Sequence, residues 1–170
     1  ELDKRHPGIK LLQTAPLNNI EYDPAWLNTD FYLKRPDGTR YRWWADQISI
    51  PNILLDECFE AIIAEIEKEA APYVEPGYCN GLFFDSVVPA LSFWGDTDAN
   101  LDGLADGATL DEAWQARQNE VFARVRERFP GIVLMANDVD LNHGEQLNGR
   151  LFEGGTLFDR AAEGRLSVGE

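Results

Sequence analysis

Histidine is nearly absent. His6 and His143 are the only two in 170 residues, so a hydrolase built on several zinc-bound imidazoles has no ligands to draw on. Cysteine is as scarce. Cys58 and Cys79 lie 21 positions apart and form neither a redox pair nor a metal knuckle. They read as buried thiols rather than as a disulfide. No apolar run approaches the ~20 residues needed to span a bilayer. A Gly-x-Ser-x-Gly elbow is missing, and Ser86 has no neighbouring His, which leaves serine-hydrolase chemistry without support. Neither Gly-x-Gly-x-x-Gly nor a P-loop occurs, so the usual nucleotide sites are excluded. Internal repeats and low-complexity segments are also missing. Lys and Arg are absent from the whole stretch Glu69 to Ala116. With a formal charge of −15, nucleic acid and anionic membranes are poor partners.

What is present is ordinary globular material. Apolar residues make up 44%, and 14 Gly with 9 Pro supply the turns. The length fits one domain over residues 1–170. Glu1 is not an initiator Met and no signal peptide precedes it, so the chain reads as a fragment of a larger protein.

Alternation of short apolar runs with amphipathic stretches predicts α/β. Ile9 to Thr14, after Pro7-Gly8, reads as a strand. Asp37-Gly38, between Tyr32-Leu33-Lys34 and Thr39-Arg40-Tyr41, is a hairpin signal. Arg42 to Ile50 reads as a second strand. Asn52 is placed to cap a helix on which Leu55, Phe59, Ile62, Ile63, Ile66 and Ala70 recur at helical spacing, ended by Pro72 and Pro76-Gly77. Leu82, Phe83 and Phe84 then form a short apolar run that closes on Asp85, the pattern of a strand buried on both faces. Thr109-Leu110-Asp111-Glu112 is a capping box for a helix with Trp114, Gln118, Val121, Phe122 and Val125 on one stripe. Ile132 to Met135 and Arg150 to Glu153 read as two more strands. The twelve residues Asp138 to Gly149 between them are near the minimum for a parallel crossover. Polar residues just past the carboxyl ends of strands point to a partial (β/α)8 TIM barrel, with parallel strands and outer helices, about five of the eight units.

Two constellations carry candidate chemistry. Asp85 and Glu153 each end an apolar strand, two strands apart, so in a barrel both face one mouth. Glycoside hydrolysis needs such a pair, one carboxylate to attack or activate water and one acid to protonate the leaving oxygen. Asp46, Asn137 and Asp138 are similarly placed and are candidate substrate hydrogen-bonders. Trp43, Trp44 and Trp94 lie near strand ends, where flat faces stack on sugar rings. The second constellation is the acidic loop. Asp98, Asn100, Asp102, Gly103 and Asp106 match positions 1, 3, 5, 6 and 9 of an EF-hand-type loop, and Asp96 extends the set. Position 12 is Thr109 instead of Glu. Structural Ca2+ is expected there; the alternative is a loop of Asx turns with solvated carboxylates.

The Gly81-Leu-Phe-Phe-Asp85 run, the Asp-x-Asp-x-Asn-x-Asp-Gly-x-x-Asp loop, the Trp-bearing helix and the Ile132 to Asn137 strand resemble a family of TIM-barrel glycoside hydrolases. That family is distantly similar to α-galactosidases and endo-polygalactosaminidases. The resemblance runs from about Ile9 to Gly155. It implies a nucleophile at the end of strand four, matching Asp85, and an acid/base at the end of strand six, matching Glu153. In the α-galactosidases the latter is Asp, so Glu153 is a departure. A secreted, polysaccharide-directed enzyme is what the resemblance implies. The alternative is a non-catalytic, calcium-stabilised carbohydrate-binding or surface protein on the same scaffold.

Overall fold

The computed structural model describes residues 8–17, 20, 23–43, 46–138 and 146–151. Within them the fold is a parallel four-stranded sheet with two long helices and a small antiparallel layer. Strand β1 is Leu12–Ala15, β2 is Arg42–Trp43 and β3 is Ile48–Ser49. Helix α1 is Asp56–Val74, strand β4 is Gly81–Val87 and helix α2 is Asp111–Arg128. Strand β5 is Val133–Asp138 and β6 is Gly149–Leu151. The main sheet runs β1-β4-β5-β6, every pair parallel, and β2 pairs with β3.

That order decides how the sheet is wound. Gln13 pairs with Leu82, and Leu82 shares a face with Phe84 two residues on. The Gln13 amide donates to the Glu69 carbonyl of α1 at 3.2 Å, while Phe84 meets Phe122 of α2 edge-on at 5.2 Å. Both helices therefore cover the same face. Strand order never reverses, so the sheet is singly wound, unlike a doubly wound nucleotide fold. The covered face holds Ala15, Leu82, Phe84, Leu134 and Ala136, all buried. On the other face Thr14 is exposed, and Phe83, Met135 and Gly149 are half-buried.

The helices form where the apolar spacing puts them. On α1 the buried stripe is Cys58, Phe59, Ile62, Ile63, Ile66 and Ala70. Asp56 and Glu57 occupy its first turn, favourable at the positive end of the helix dipole. α1 runs through Pro72, two residues short of its end at Val74, and the chain turns at Pro76-Gly77, where Gly77 N–H donates to the Val74 carbonyl at 3.0 Å. Asn52 is not the cap, because the helix begins after Leu55. Its amide donates instead to the Ala99 carbonyl at 2.8 Å, far along the chain. The expected capping box is also overturned. Thr109 lies in a 3-10 turn, Gly107–Leu110, and α2 starts without a side-chain cap. Asp111 is engaged elsewhere, accepting from the Ser92 N–H and hydroxyl, both at 2.7 Å.

The expected strand over Arg42 to Ile50 is two short strands. Asp46 adopts a left-handed backbone, φ 62°, and the Arg42 guanidinium donates to its carbonyl at 3.1 Å. The chain reverses there. The Asp37-Gly38 turn is as expected, with Tyr41 N–H donating to the Leu33 carbonyl at 2.7 Å and Gly38 at φ 79°.

The amino-terminal ends of the strands are closed by side chains. Asn80 accepts from Leu11 N–H at 3.2 Å and gives its own N–H to the Leu11 carbonyl at 2.8 Å. Asn148 accepts from Leu134 N–H at 2.9 Å and from the Arg126 guanidinium at 2.7 Å. Gly81 has no room for a side chain: a Cβ would stand 2.1 Å from the Val133 carbonyl oxygen. Across the helix pair, Arg117 reaches the Ile53 carbonyl at 3.0 Å and the carboxylate of Asp56. Arg124 pairs with Glu60. Exposed pairs of this kind contribute about 0–1 kcal/mol each.

Both cysteines are free, Cys58 buried and Cys79 half-buried. Burial pushes the Cys58 thiol from 9.0 up to about 12. The same cause, with Asp23 nearby, pushes the Tyr32 phenol from 10.0 up to about 12. The folded chain therefore holds both protons more tightly than the unfolded chain. This contribution is fully present below about pH 9 and is lost as pH rises toward 12. Urea midpoints are expected to be flat up to about pH 9 and then to fall, with a shallower fall in Cys58→Ala. A Cys58→Ala curve that overlays the parent would show that the thiol proton plays no part.

Candidate functional site

The candidate site lies where β4 stops pairing regularly. Phe84 faces Ala136 and Val87 faces Asp138, so Asp85 and Ser86 together oppose the single residue Asn137. That is a β-bulge, a device that re-aims a side chain at the end of a strand. Ser86 adopts φ 55°, left-handed for a residue with a Cβ, at a cost of roughly 1–2 kcal/mol. The bulged end is held from the helix side. The Val88 carbonyl accepts from the indole N–H of Trp114 at 2.9 Å and from the Gln118 amide at 3.0 Å. Trp114 and Gln118 are both fully buried.

The bulge fixes Asp85. One carboxylate oxygen, Oδ1, accepts from Ser86 N–H at 2.8 Å and from the Asn137 amide at 3.0 Å. The second oxygen, Oδ2, receives no donor from the described residues. Asp85 and Asn137 are half-buried and lie on the face away from the helices. They sit at the carboxyl ends of parallel strands, where α/β proteins gather their ligands.

The other expected site residues are scattered. Glu153 and Trp44 lie outside the described residues. Asp138 pairs with Val87 through the backbone. Asp46 lies at the reversal between β2 and β3 and does not follow a strand of the main sheet. Trp94 is only 2% exposed, packed edge-on against Trp43 at 5.2 Å, Phe93 at 5.1 Å and Tyr41 at 6.3 Å. Its ring is part of the core. Trp43 is half-buried in the same cluster. Within this cluster the aromatic that meets solvent is Phe93, 51% exposed, which the sequence reading missed. The signal was available in the turn type. Leu91–Trp94 is a 3-10 turn, with three residues per turn, so Leu91 and Trp94 point inward together and Phe93 points out.

The acidic loop closes on itself. Asp98, 4% exposed, accepts from Asp102 N–H at 3.0 Å on one oxygen and from Gly103 N–H at 2.9 Å on the other. Asn100 accepts from Asp102 N–H at 3.0 Å, and Asp102 from Leu104 N–H at 2.8 Å. Asp106 accepts from Ala99 N–H at 2.6 Å. Asp96 is exposed. Among the described residues no group of three or more His, Cys, Asp or Glu side chains is gathered as metal ligands would be.

No protein-family model matches the chain, and no curated protein matches it. Solved structures do. The galactosidase domain of an α-galactosidase–sucrose kinase, AgaSK, matches with TM-score 0.50 at 14% identity, over 77% of this chain and 16% of that one. A mutant of Kfla1895 matches with TM-score 0.51 at 20% identity, over 87% of this chain and 22% of that one. A cycloalternan-degrading enzyme from Trueperella pyogenes matches at 16% identity, TM-score 0.48, over 81% and 20%. The first two are likenesses of fold. The chain spans about a fifth of their length.

The bulge makes a conformational test possible. Ser86→Gly is expected to be tolerated, since Gly takes φ > 0 without penalty. Ser86→Val should be less stable than Ser86→Gly by about 1–2 kcal/mol in chemical denaturation. Equal stability of the two would mean that position 86 is not left-handed in solution.

Proposed function

We propose that the chain is part of a (β/α)8 barrel that acts on carbohydrate as a glycoside hydrolase, with Asp85 as nucleophile or base. One observation carries this reading: a carboxylate at a parallel-strand end, with one oxygen tied by two N–H donors and the other given none by the described residues. Both partners are donors, the surroundings that suit a carboxylate acting as nucleophile or base. Singly wound topology and the fold likeness to a galactosidase domain support the barrel. They make α-galactosides the first substrates to try. Glu153 is proposed as the general acid on its sequence position, two residues past Leu151, which pairs with Asn137 in the next strand. Phe93 joins Trp43 as a candidate surface for sugar rings. A secreted location is likewise proposed from the sequence resemblance.

The test uses the protein as encoded, with a panel of aryl glycosides and polysaccharides. Asp85→Asn is expected to lower turnover by roughly 10²–10⁴-fold or more with folding unchanged. Parent-like rates in that variant would falsify the assignment.

Calcium at the acidic loop is proposed on different grounds. Asp98, Asn100, Asp102 and Asp106 offer only hard oxygen donors, the kind this cation takes. Carboxylate oxygens that already accept one bond keep a second lone pair. The ion would hold the loop and supply no chemistry to the reaction. Calcium at a hundredfold excess over its dissociation constant should raise the melting temperature by about 5–10 °C relative to chelator. An unchanged melting curve would leave the loop's own N–H donors as its complete support.

A further inference from the structure

We infer that Asn137 is a positioning residue: with the Ser86 N–H it holds Oδ1 of Asp85 and so selects Oδ2 as the oxygen that meets substrate. This rests on the glycosidase reading for what Oδ2 does, but the pairing itself does not.

The geometry comes first. In the bulge two residues of β4 face one of β5, and that one is Asn137. Its side chain reaches sideways to Asp85 rather than onward into solvent, with Nδ2 at 3.0 Å from Oδ1. Toward a carboxylate acting as acceptor, the amide presents its NH2 end. Ser86 N–H reaches the same oxygen at 2.8 Å. Two donors on one oxygen fix the carboxylate plane. A plane fixed by one oxygen has the other oriented. Whether Asp85 attacks a sugar carbon or takes a proton from water, that other oxygen does it. The bond takes one of the two amide N–H groups and holds the Asn137 side chain toward Asp85, whereas its strand-end position first suggests a grip on a sugar hydroxyl.

The two roles predict different measurements. Selective 15N-Asn and 13C-Asp labelling of the protein as encoded reads the pairing directly. The Asn137 side-chain amide protons should move with pH in step with the Asp85 carboxyl carbon, and Asp85→Asn should abolish the movement. In steady-state kinetics on the best aryl glycoside, Asn137→Ala should lower kcat by about 10–100-fold, the usual cost of a misplaced reacting group, with KM within about twofold. If Asn137→Ala misfolds, the nearly isosteric Asn137→Asp, which replaces a donor by an acceptor, should give the same loss. Independent titration of the two side chains overturns the proposal, as does a raised KM at unchanged kcat. Shared titration in a protein that turns over no glycoside upholds the pairing and sinks the glycosidase reading instead.

Discussion

Past the left-handed Ser86, β4 pairs once more at Val87 and ends, so the buried carbonyl of Val88 needs partners outside the ladder. It has two. Trp114 and Gln118, one helical turn apart on α2, both donate to it from full burial. A buried carbonyl left without donors would cost about 1–3 kcal/mol, comparable to the strain at Ser86. The pair thus offsets the bulge, and the bulge places Asp85. Side chains that read as a plain apolar stripe with one amide on α2 therefore support the candidate site from behind the sheet.

The acidic loop follows a similar logic with charge. Its carboxylates stand in a stretch without Lys or Arg, and backbone N–H groups at 2.6–3.0 Å take the place of cations. The loop is also tied outward. Asp98 bridges Lys34 of the hairpin layer, its N–H donating to the Lys34 carbonyl at 2.8 Å. Asn52 holds Ala99 from the segment before α1. The segment after β4 is thus fastened to the layer that precedes α1, and Asp111 fastens the Ser92 turn to α2.

Much of the scaffold was legible in the residues. The β4 and β5 runs, the α1 and α2 stripes and the parallel order follow from apolar periodicity, because burial on one face or two imposes it. What escaped was decided by a single backbone angle or a distant partner. Nothing in a Ser marks it for φ 55°, and nothing in Asp46 marks it for a reversal; Gly would have announced either. Thr109-Leu110-Asp111-Glu112 has the right letters for a cap, but Ser92, nineteen positions earlier, competes for Asp111 and wins. Asn52 is diverted across 47 positions to Ala99. Asp85 itself was visible as the polar close of an apolar run. Its bond to Asn137 was not, since it depends on a two-against-one register that no local pattern encodes.

The monotonic strand order constrains how this sheet can be extended. Among the described residues β1 and β6 are its flanks, and both run parallel to everything between them. A further parallel strand on either flank cannot arrive by a tight hairpin; it needs a crossover of a dozen residues or more. Each right-handed crossover that continues the order in the same sense puts its cover on the side that is already covered. Units added in that sense leave the opposite side, which carries Asp85, without a helical roof, so any shelter for that carboxylate has to come from the sheet's own bend.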